Sequence, residues 1–168
     1  ATCVMPRQFS ARSFWEDVRE NKITATYLLG AMANFLQRQP LDARDADNPL
    51  QKALMCPLLS DSADFAARFD LKIASAYGST ETGCPILMPL GTAFSDKQIV
   101  GKVRADKYDA MVVDENDLPV APGTVGELLI RPREPWITMR GYRNQPEKTR
   151  EMEWRDENGD IWLKTGDI

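Results

Sequence analysis

Histidine is absent from this chain of 168 residues. That absence excludes a serine–histidine–aspartate triad, the usual histidine general base and the commonest metal-ligating side chain. Any chemistry that these residues carry out must therefore depend on carboxylates, hydroxyls, lysines or backbone dipoles.

Cysteine is sparse, and its positions do not suggest a cross-linked or metal-bound protein. Cys3, Cys56 and Cys84 are far apart, odd in number and lack a Cys-x-x-Cys spacing, so the sequence predicts neither a disulfide framework nor a zinc site. We expect Cys56 to be a small buried residue rather than a nucleophile, because no histidine or adjacent basic residue is present to activate its thiol. This cysteine usage favours a reducing, cytoplasmic setting.

Long apolar runs and basic runs are also missing. No stretch approaches the roughly 20 apolar residues of a membrane span, and the N-terminal residues lack the pattern of a signal peptide. With 21 basic and 25 acidic residues the net charge is −4, which argues against a nucleic-acid partner. The chain begins without methionine, and we expect both of its ends to be cuts in a longer polypeptide.

Strand and helix patterns alternate in residues 1–90, within a composition that is ordinary for a globular protein. Ser13 and Glu16 form a capping-box pattern at the start of the first helix. The predicted strands are Thr2–Met5, Thr24–Leu29, Ala53–Met55 and Lys72–Ala76. The first predicted helix begins at Ser10 or Ser13 and carries Phe14, Trp15, Val18 and Ile23. The other predicted helices are Ala31–Gln39 and Asp61 or Ser62 to Phe69. This alternation predicts an α/β fold with a mostly parallel sheet flanked by helices.

Short strands with turn residues between them dominate residues 91–168. The predicted strands are Ile99–Val103, Tyr108–Asp114, Gly126–Arg131 and Ile161–Thr165, and the one predicted helix is Gln145–Met152. Strands at this spacing predict a small antiparallel sheet or barrel-like subdomain. We therefore expect an α/β part in residues 1–90 and a mainly β part in residues 91–168.

The run Tyr77-Gly78-Ser79-Thr80-Glu81-Thr82-Gly83 follows the last strand of the first part. It is predicted to be a loop at the carboxyl end of that strand, where α/β sheets bind their ligands. Glycines allow close approach of a ligand, hydroxyls donate hydrogen bonds, and Glu81 is a hard oxygen ligand of the kind that Mg²⁺ takes together with substrate phosphates. The residues alone equally allow a polar turn whose hydroxyls satisfy their own backbone.

Three further segments combine glycine with charged or hydroxyl residues. They are Gly126-Glu127-Leu128, Gly141-Tyr142-Arg143-Asn144-Gln145-Pro146-Glu147-Lys148-Thr149 and Thr165-Gly166-Asp167. An aspartate after a glycine at a strand end can accept hydrogen bonds from a vicinal diol such as a ribose, although taken alone Asp167 is also an ordinary turn residue.

Taken in order, these four segments resemble motifs of the adenylate-forming superfamily of acyl-CoA synthetases, luciferases and peptide-synthetase adenylation domains. That family has aromatic-Gly-x-Thr-Glu, Gly-Glu-apolar, Gly-Tyr-x-Asn-x-Pro-Glu-x-Thr and Thr-Gly-Asp motifs in the same order. The resemblance runs from about Met5 to the last residue, and the opening, Met5 to Ser10 with Phe14-Trp15, is similar to the branch of carnitine and crotonobetaine CoA ligases. It implies part of the large N-terminal domain of such an enzyme.

The resemblance implies a two-step ligase reaction. ATP and a small carboxylic acid give an acyl-adenylate and pyrophosphate, and coenzyme A then attacks the acyl carbon. By position, Thr80 and Glu81 are the implied catalytic residues, with Thr80 on the α-phosphate and Glu81 on Mg²⁺. Tyr77 is implied to stack on adenine, with Gly78 and Ser79 beside the nucleotide, and Asp167 to bind the ribose hydroxyls.

The resemblance also implies positions for the acyl and adenine pockets. Gly78 and Ser79 are implied to border the acyl pocket, and Leu28, Leu29 and Gly30 match the region in which the family shapes it. Met55, Cys56 and Pro57 stand where the family usually has a glycine pair that lines the adenine pocket. The larger side chains here are expected to change the width of that pocket.

The chain lacks two elements that the resemblance requires. The phosphate loop with its lysine is expected upstream, and the C-terminal lysine domain is expected downstream, so both belong to the rest of the same polypeptide. We therefore expect the isolated chain to be inactive. Two alternatives stay open: a non-catalytic nucleotide- or partner-binding domain of the same fold, and an adenylation module that loads a carrier protein.

Overall fold

The computed structural model describes residues 2–92 and 100–168. The helices are α1 (Phe14–Glu20), α2 (Gly30–Gln37), α3 (Ser62–Phe69) and α4 (Pro146–Met152); the strands are β1 (Ala25–Leu29), β2 (Lys52–Cys56), β3 (Lys72–Ser79), β4 (Gly83–Met88), β5 (Lys102–Val103), β6 (Tyr108–Val113), β7 (Glu127–Pro132), β8 (Glu153–Arg155) and β9 (Ile161–Lys164). The chain divides into two compact units: unit 1 holds the described residues of 1–77 and 87–101, and unit 2 holds 78–86 and 102–168. No helix in the described ranges is long and apolar enough to cross a bilayer.

A parallel sheet is the centre of unit 1. β1 pairs in parallel with β2, and β2 pairs in parallel with β3. The sheet has the strand order β1-β2-β3-β4-β5, and the three-residue connection from β3 to β4 allows only an antiparallel pair there. The predicted α/β fold is therefore confirmed, as a mixed sheet with a parallel part built by strand–helix–strand units.

The core of unit 1 forms where alternate strand residues meet the apolar stripes of the helices. Leu28, Met55 and Ile73 point inward from the three parallel strands and are at most 1% exposed. Helices α2 and α3 bring fully buried residues to the same cluster, among them Leu36, Phe65 and Phe69. This pattern explains why the strands and helices of this part could be predicted from apolar spacing.

Some local predictions for the first part are wrong. Residues 2–5 form no strand and are exposed. The capping box at Ser13 is absent, because Ser13 has helical backbone angles and its hydroxyl donates to Asp17 at 3.2 Å instead of to a backbone N–H; a side-chain cap needs an extended residue. Ile23 lies beyond the end of α1.

Unit 2 contains the predicted antiparallel sheet. Its four strands have the order β6-β7-β9-β8, and their three pairings are all antiparallel. Val113, Leu129 and Trp162 form its buried cluster, with Met111 and Trp154 packed against it. Two strands, β4 and β8, were not predicted, and the predicted strand at Ile99–Val103 is present only as β5 within the described residues.

An ion-pair network crosses this sheet. Asp109 on β6 faces its register partner Arg131 on β7, whose guanidinium donates to Asp109 Oδ2 at 2.8 and 3.0 Å. Arg133 donates to the other oxygen at 2.9 Å. Arg131 also pairs with Asp160 and lies over the ring of Trp162. The hydrogen bonds from Arg133 and then Arg131 hold the pKa of Asp109 below its usual range.

The Asp109 network predicts a specific dependence of stability on pH. Because the folded-state pKa of this carboxyl is depressed, its contribution is present above the unfolded value of about 3.9 and is lost as pH falls through the folded pKa. We expect Asp109→Asn to lower the free energy of unfolding by about 1 kcal/mol at pH 7, since the pair is partly exposed. The difference from wild type should shrink as pH falls below about 4.

Urea unfolding at a series of pH values measures this effect. Asp106→Asn is a matched control, because Asp106 is an exposed aspartate in the same unit, and it should leave the stability within about 0.5 kcal/mol of wild type. A difference between Asp109→Asn and wild type that stays constant from pH 7 to pH 3 would contradict the prediction.

Candidate functional site

The predicted loop is a tight hairpin in the structure. β3 continues to Ser79 and β4 begins at Gly83, so the connection is only residues 80–82. The hydroxyl of Ser79 accepts the backbone N–H groups of Glu81 and Thr82 at 3.2 and 3.1 Å. The backbone N–H of Ser79 donates to the hydroxyl of Thr82 at 3.2 Å. Two of the three hydroxyls therefore build the turn, and Thr80 is exposed at its tip.

The two glycines of the motif are required by the hairpin itself. A Cβ added to Gly78 would lie 1.9 Å from the carbonyl oxygen of Gly83. Gly83 has a φ of +69°, and a Cβ there would lie 2.5 Å from the carbonyl oxygen of Ile137. Side chains at either position would push the strands or the neighbouring segment away, so glycine is needed for chain packing at this turn.

Glu81 is held at both its backbone and its side chain. Its carbonyl accepts the N–H of Met139 at 2.8 Å, and its Oε1 accepts the hydroxyl of Tyr142 at 2.8 Å. The Tyr142 hydrogen bond, followed by local bonds within the turn that include the Ser79 hydroxyl, holds the pKa of Glu81 below its ordinary value. The same bond raises the pKa of Tyr142. Glu81 is therefore a fixed carboxylate at neutral pH.

The Thr165-Gly166-Asp167 segment is a second ordered turn. The hydroxyl of Thr165 donates to the carbonyl of Leu128 at 2.8 Å and accepts the N–H of Asp167 at 3.1 Å. Glu127 Oε1 accepts the N–H of Gly166 at 2.9 Å. The Gly-Glu-apolar strand thus fixes the Thr-Gly-Asp turn, with Asp167 exposed. These contacts join the two motifs in the folded unit.

An open cavity of about 650 Å³ is lined by residues from all four of the sequence motifs. Ser79 and Glu81 line it from the hairpin, and Thr165 and Gly166 line it from the Thr-Gly-Asp turn. Its remaining lining residues come from β7, the Tyr142 segment with α4, and β9: Glu127, Tyr142, Gln145, Lys148, Glu151, Met152 and Lys164. All belong to unit 2. Residues up to about 90 positions apart in sequence therefore surround one space.

Of the other predicted site residues, Gly78, Thr80 and Asp167 belong to unit 2 but do not line this cavity, and the rest lie in unit 1. Tyr77 is its last residue before the hairpin and is half-buried. Leu29 and Cys56 are register partners at the ends of β1 and β2, so the two predicted pocket segments end side by side, as parallel strands require. Leu29 is half exposed, whereas Leu28 and Met55 are fully buried in the core.

The ends of β1 and β2 are closely packed. A Cβ on Gly30 would lie 3.0 Å from the carbonyl oxygen of Pro57. Cys56 is half-buried, and its Sγ accepts the N–H of Ala76 at 3.3 Å. The Cys56 thiol therefore contacts the neighbouring strand.

The donor set of the cavity can be tested against a magnesium ion. The described residues contain no group of three or more histidine, cysteine, aspartate or glutamate side chains able to hold a metal. Mg²⁺ that is bound together with substrate phosphates needs only one or two carboxylates. Glu81 is an ordered carboxylate, and Glu127 and Glu151 line the same cavity. These donors fit a magnesium ion shared with phosphates and do not fit an all-protein cage.

Two features of the candidate site are absent from the sequence predictions. Tyr142 belongs to a recognised motif, but no local pattern indicates that its hydroxyl reaches Glu81, 61 positions earlier. Lys148 and Lys164 also line the cavity, and the ammonium group of Lys164 pairs with Asp117. The only sequence signal for either is its position within or beside a motif.

Comparisons with known proteins show which family this chain is similar to. The family model described as AMP-binding enzyme matches residues 1–143. Crotonobetaine/carnitine–CoA ligases of Salmonella agona and Escherichia coli K12 are 31% and 30% identical over 172 aligned residues. Each alignment covers 99% of this chain and 32% of the relative, so the chain spans about a third of the length of these relatives.

Solved structures show the same fold. The N-terminal domain of FACL13 from Mycobacterium tuberculosis has a TM-score of 0.69 at 23% identity, over 95% of this chain and 38% of that one. A benzoate CoA ligase from Burkholderia xenovorans LB400 has a TM-score of 0.71 at 22% identity, over 92% of this chain and 33% of that one. Because the family model matches residues 1–143, which are most of this chain, the chain belongs to the AMP-binding enzyme family.

Proposed function

We propose that this chain carries the nucleotide- and magnesium-binding part of an ATP-dependent acid–CoA ligase. The observation that carries the proposal is the cavity of unit 2, where Glu81, the Tyr142 segment and the Thr165–Gly166 turn meet. An ordered carboxylate beside lysines and hydroxyls suits a magnesium-bound phosphate chain. The relatives named as CoA ligases support the choice of reaction.

The proposed reaction has two steps. In the first, a carboxylate oxygen of the acid attacks the α-phosphorus of ATP, the bond from that phosphorus to the bridging oxygen breaks, and pyrophosphate leaves. In the second, the sulfur of coenzyme A attacks the acyl carbon and AMP leaves. The protein's work in the first step is to place two anions together and to offset the charge that develops.

Each of several residues of unit 2 has a proposed role in the first step. Thr80 is proposed to donate its hydroxyl to the α-phosphate, which its exposed place at the hairpin tip allows. Glu81 would hold Mg²⁺, which when bound offsets negative charge on the phosphate oxygens. Asp167, exposed after the ordered turn, is proposed to accept hydrogen bonds from the ribose hydroxyls, and Ser79 to support the turn beside the nucleotide.

Roles in binding are also proposed for residues of unit 1. Tyr77 is proposed to stack on adenine, and Gly78 lies directly after it in the chain. The half-exposed Leu29 is proposed to contact the acid, whereas Leu28 and Gly30 would set its position from the buried side. At the end of β2, Met55, Cys56 and Pro57 are proposed to border the adenine.

We propose that the complete reaction needs the rest of the polypeptide. We also propose that it takes place in the cytoplasm. The phosphate loop and the C-terminal lysine of the family have no match in this sequence. The chain alone is therefore proposed to bind nucleotide without completing acyl transfer.

Nucleotide binding by the chain tests the proposed function. We expect isothermal titration calorimetry to show ATP binding in the presence of Mg²⁺, and Glu81→Ala and Asp167→Ala each to weaken it by about tenfold, or about 1.4 kcal/mol. Without Mg²⁺, in EDTA, the effect of Glu81→Ala should disappear while that of Asp167→Ala stays. Each substitution thus reports on a different part of the ligand.

Matched controls are available in the same unit. Glu115→Ala and Asp106→Ala remove exposed carboxylates outside the cavity lining, and both should bind ATP as wild type does. Equal affinity of wild type, Glu81→Ala and Asp167→Ala would refute the site assignment. No measurable binding of ATP by the wild-type chain would refute the proposed function itself.

A further inference from the structure

We propose that Tyr142 is a positioning residue for Glu81: its hydroxyl fixes the Glu81 carboxylate in the orientation that holds a divalent cation during nucleotide binding. This inference rests on the proposed function of the cavity. It gives a role to a contact between two segments that are 61 positions apart in sequence.

Glu81 needs such support because it lies in a three-residue turn. Its backbone carbonyl is anchored by the N–H of Met139, but a glutamate side chain retains several freely rotating bonds unless its carboxylate is also held. The 2.8 Å hydrogen bond from Tyr142 to Oε1 supplies that second anchor. A carboxylate has about four lone-pair sites, so one donor leaves capacity for a metal ion.

Tyr142 is itself held in place by α4. Its backbone N–H donates to the hydroxyl of Thr149 at 2.9 Å, and that hydroxyl donates to the carbonyl of Gln145 at 3.2 Å. Gly141 has a φ of +129°, and a Cβ there would lie 3.0 Å from Thr149. The Tyr142 hydroxyl also lies 3.1 Å from the sulfur of Met152. The phenol of Tyr142 is therefore fixed in position. Groups that orient metal ligands are typically fixed in this way.

The chemistry of the partner distinguishes Glu81 from Asp109, another held carboxylate of unit 2. Asp109 is held by two guanidinium groups, which offset its charge. Glu81 is held by an uncharged phenol, and no lysine or arginine in the described ranges forms an ion pair with it. A neutral donor orients the carboxylate while leaving its full negative charge for a cation. Carboxylates that bind metal ions are commonly oriented by hydrogen bonds of this kind.

The test is the Mg²⁺ dependence of ATP binding by the Tyr142→Phe chain. We expect the Mg²⁺ concentration that gives half of the maximal ATP affinity to rise about tenfold, as for other groups that orient metal ligands. ATP affinity in EDTA should stay at the wild-type value. A purely structural role would instead weaken binding equally with and without Mg²⁺, and that result would overturn the inference.

Tyr108→Phe is the matched control. Tyr108 is a tyrosine of the same unit whose hydroxyl donates to the carbonyl of Ile137 at 3.2 Å, outside the cavity lining. Its loss removes one tyrosine hydrogen bond without touching Glu81, so the Mg²⁺ dependence should match wild type. An equal shift in Tyr108→Phe and Tyr142→Phe would overturn the inference.

A double-mutant cycle separates this inference from the proposed function. In a Glu81→Ala background, Tyr142→Phe should have no further effect on the Mg²⁺ dependence, because the group that it orients is gone. Suppose that ATP binding by wild type depends on Mg²⁺ and that Glu81→Ala abolishes this dependence. If Tyr142→Phe then shows the same Mg²⁺ dependence as wild type, only the inference fails. If wild type shows no Mg²⁺-dependent binding, the proposed function and the inference fail together.

Discussion

Replacing Gly78 by alanine is expected to open the β3–β4 hairpin and to remove nucleotide binding. The new Cβ would lie 1.9 Å from the carbonyl oxygen of Gly83 and 3.0 Å from the Cα of Cys84. Both are backbone atoms, so no side-chain rotation relieves the clash and the strands must separate. Overpacking against side chains alone typically costs about 1–3 kcal/mol, and we expect at least about 3 kcal/mol here. Thr80 and Glu81 would lose their positions with the turn.

Urea unfolding and ATP titration of the Gly78→Ala chain measure the two consequences. Gly159→Ala is the control, because Gly159 lies in the same unit with a φ of +83° and no heavy atom within 4 Å of an added Cβ. In this control the free energy of unfolding should fall only by the cost of placing alanine in a left-handed backbone conformation, about 1–2 kcal/mol. It should retain ATP binding. A Gly78→Ala chain as stable as Gly159→Ala would show that the hairpin can tolerate the side chain.

The α/β part could be predicted largely because its strands and helices are amphipathic or buried segments of ordinary length. Phe65 and Phe69 are four residues apart and both fully buried on α3, which is the spacing that indicates a helix. β1 likewise alternates, so that Leu28 is buried and Leu29 is half exposed. Periodicity of this kind is a local property of the chain, and the sequence displays it directly.

Elements that depend on pairing rather than on periodicity were harder to predict. β4 contains Pro85, which ordinarily argues against a strand, and its place follows from the tight turn before it. β8 is three residues long and directly follows α4, so no turn residue marks its start. Residues 2–5 look like a strand but form none, because a short apolar run does not specify a neighbouring strand.

The site shows the same division between local and distant information. Its motifs could be recognised, since Gly78, Thr80 and Glu81 are consecutive or nearly so in the chain. Which motif residues stabilise the turn could not be predicted, because the hydrogen bonds of Ser79 are visible only in the folded hairpin. The bond from Tyr142 to Glu81 depends on how two distant segments pack, and no pattern within either segment contains that distance.

Replacing Phe65 by alanine is the second large effect that we expect, here on the stability of unit 1. Phe65 is fully buried, and its ring lies 4.8 Å from that of Phe69, which in turn stacks on Trp15 at 4.3 Å. The substitution removes the aromatic ring at one end of this row and leaves a cavity in the core beside α3. Core Phe→Ala changes typically cost about 3–5 kcal/mol, and a value in that range is expected.

Phe35→Ala provides the comparison that isolates burial from the loss of a phenyl group. Phe35 lies on α2 of the same unit and is 57% exposed, so its removal should change the free energy of unfolding by less than about 0.5 kcal/mol. Urea unfolding followed by far-ultraviolet circular dichroism measures both variants. Because β3 runs from this core into the hairpin at Ser79, Phe65→Ala should also lower amide-exchange protection at Ile73. Equal stability of the two variants would show that the aromatic stack does not support the sheet.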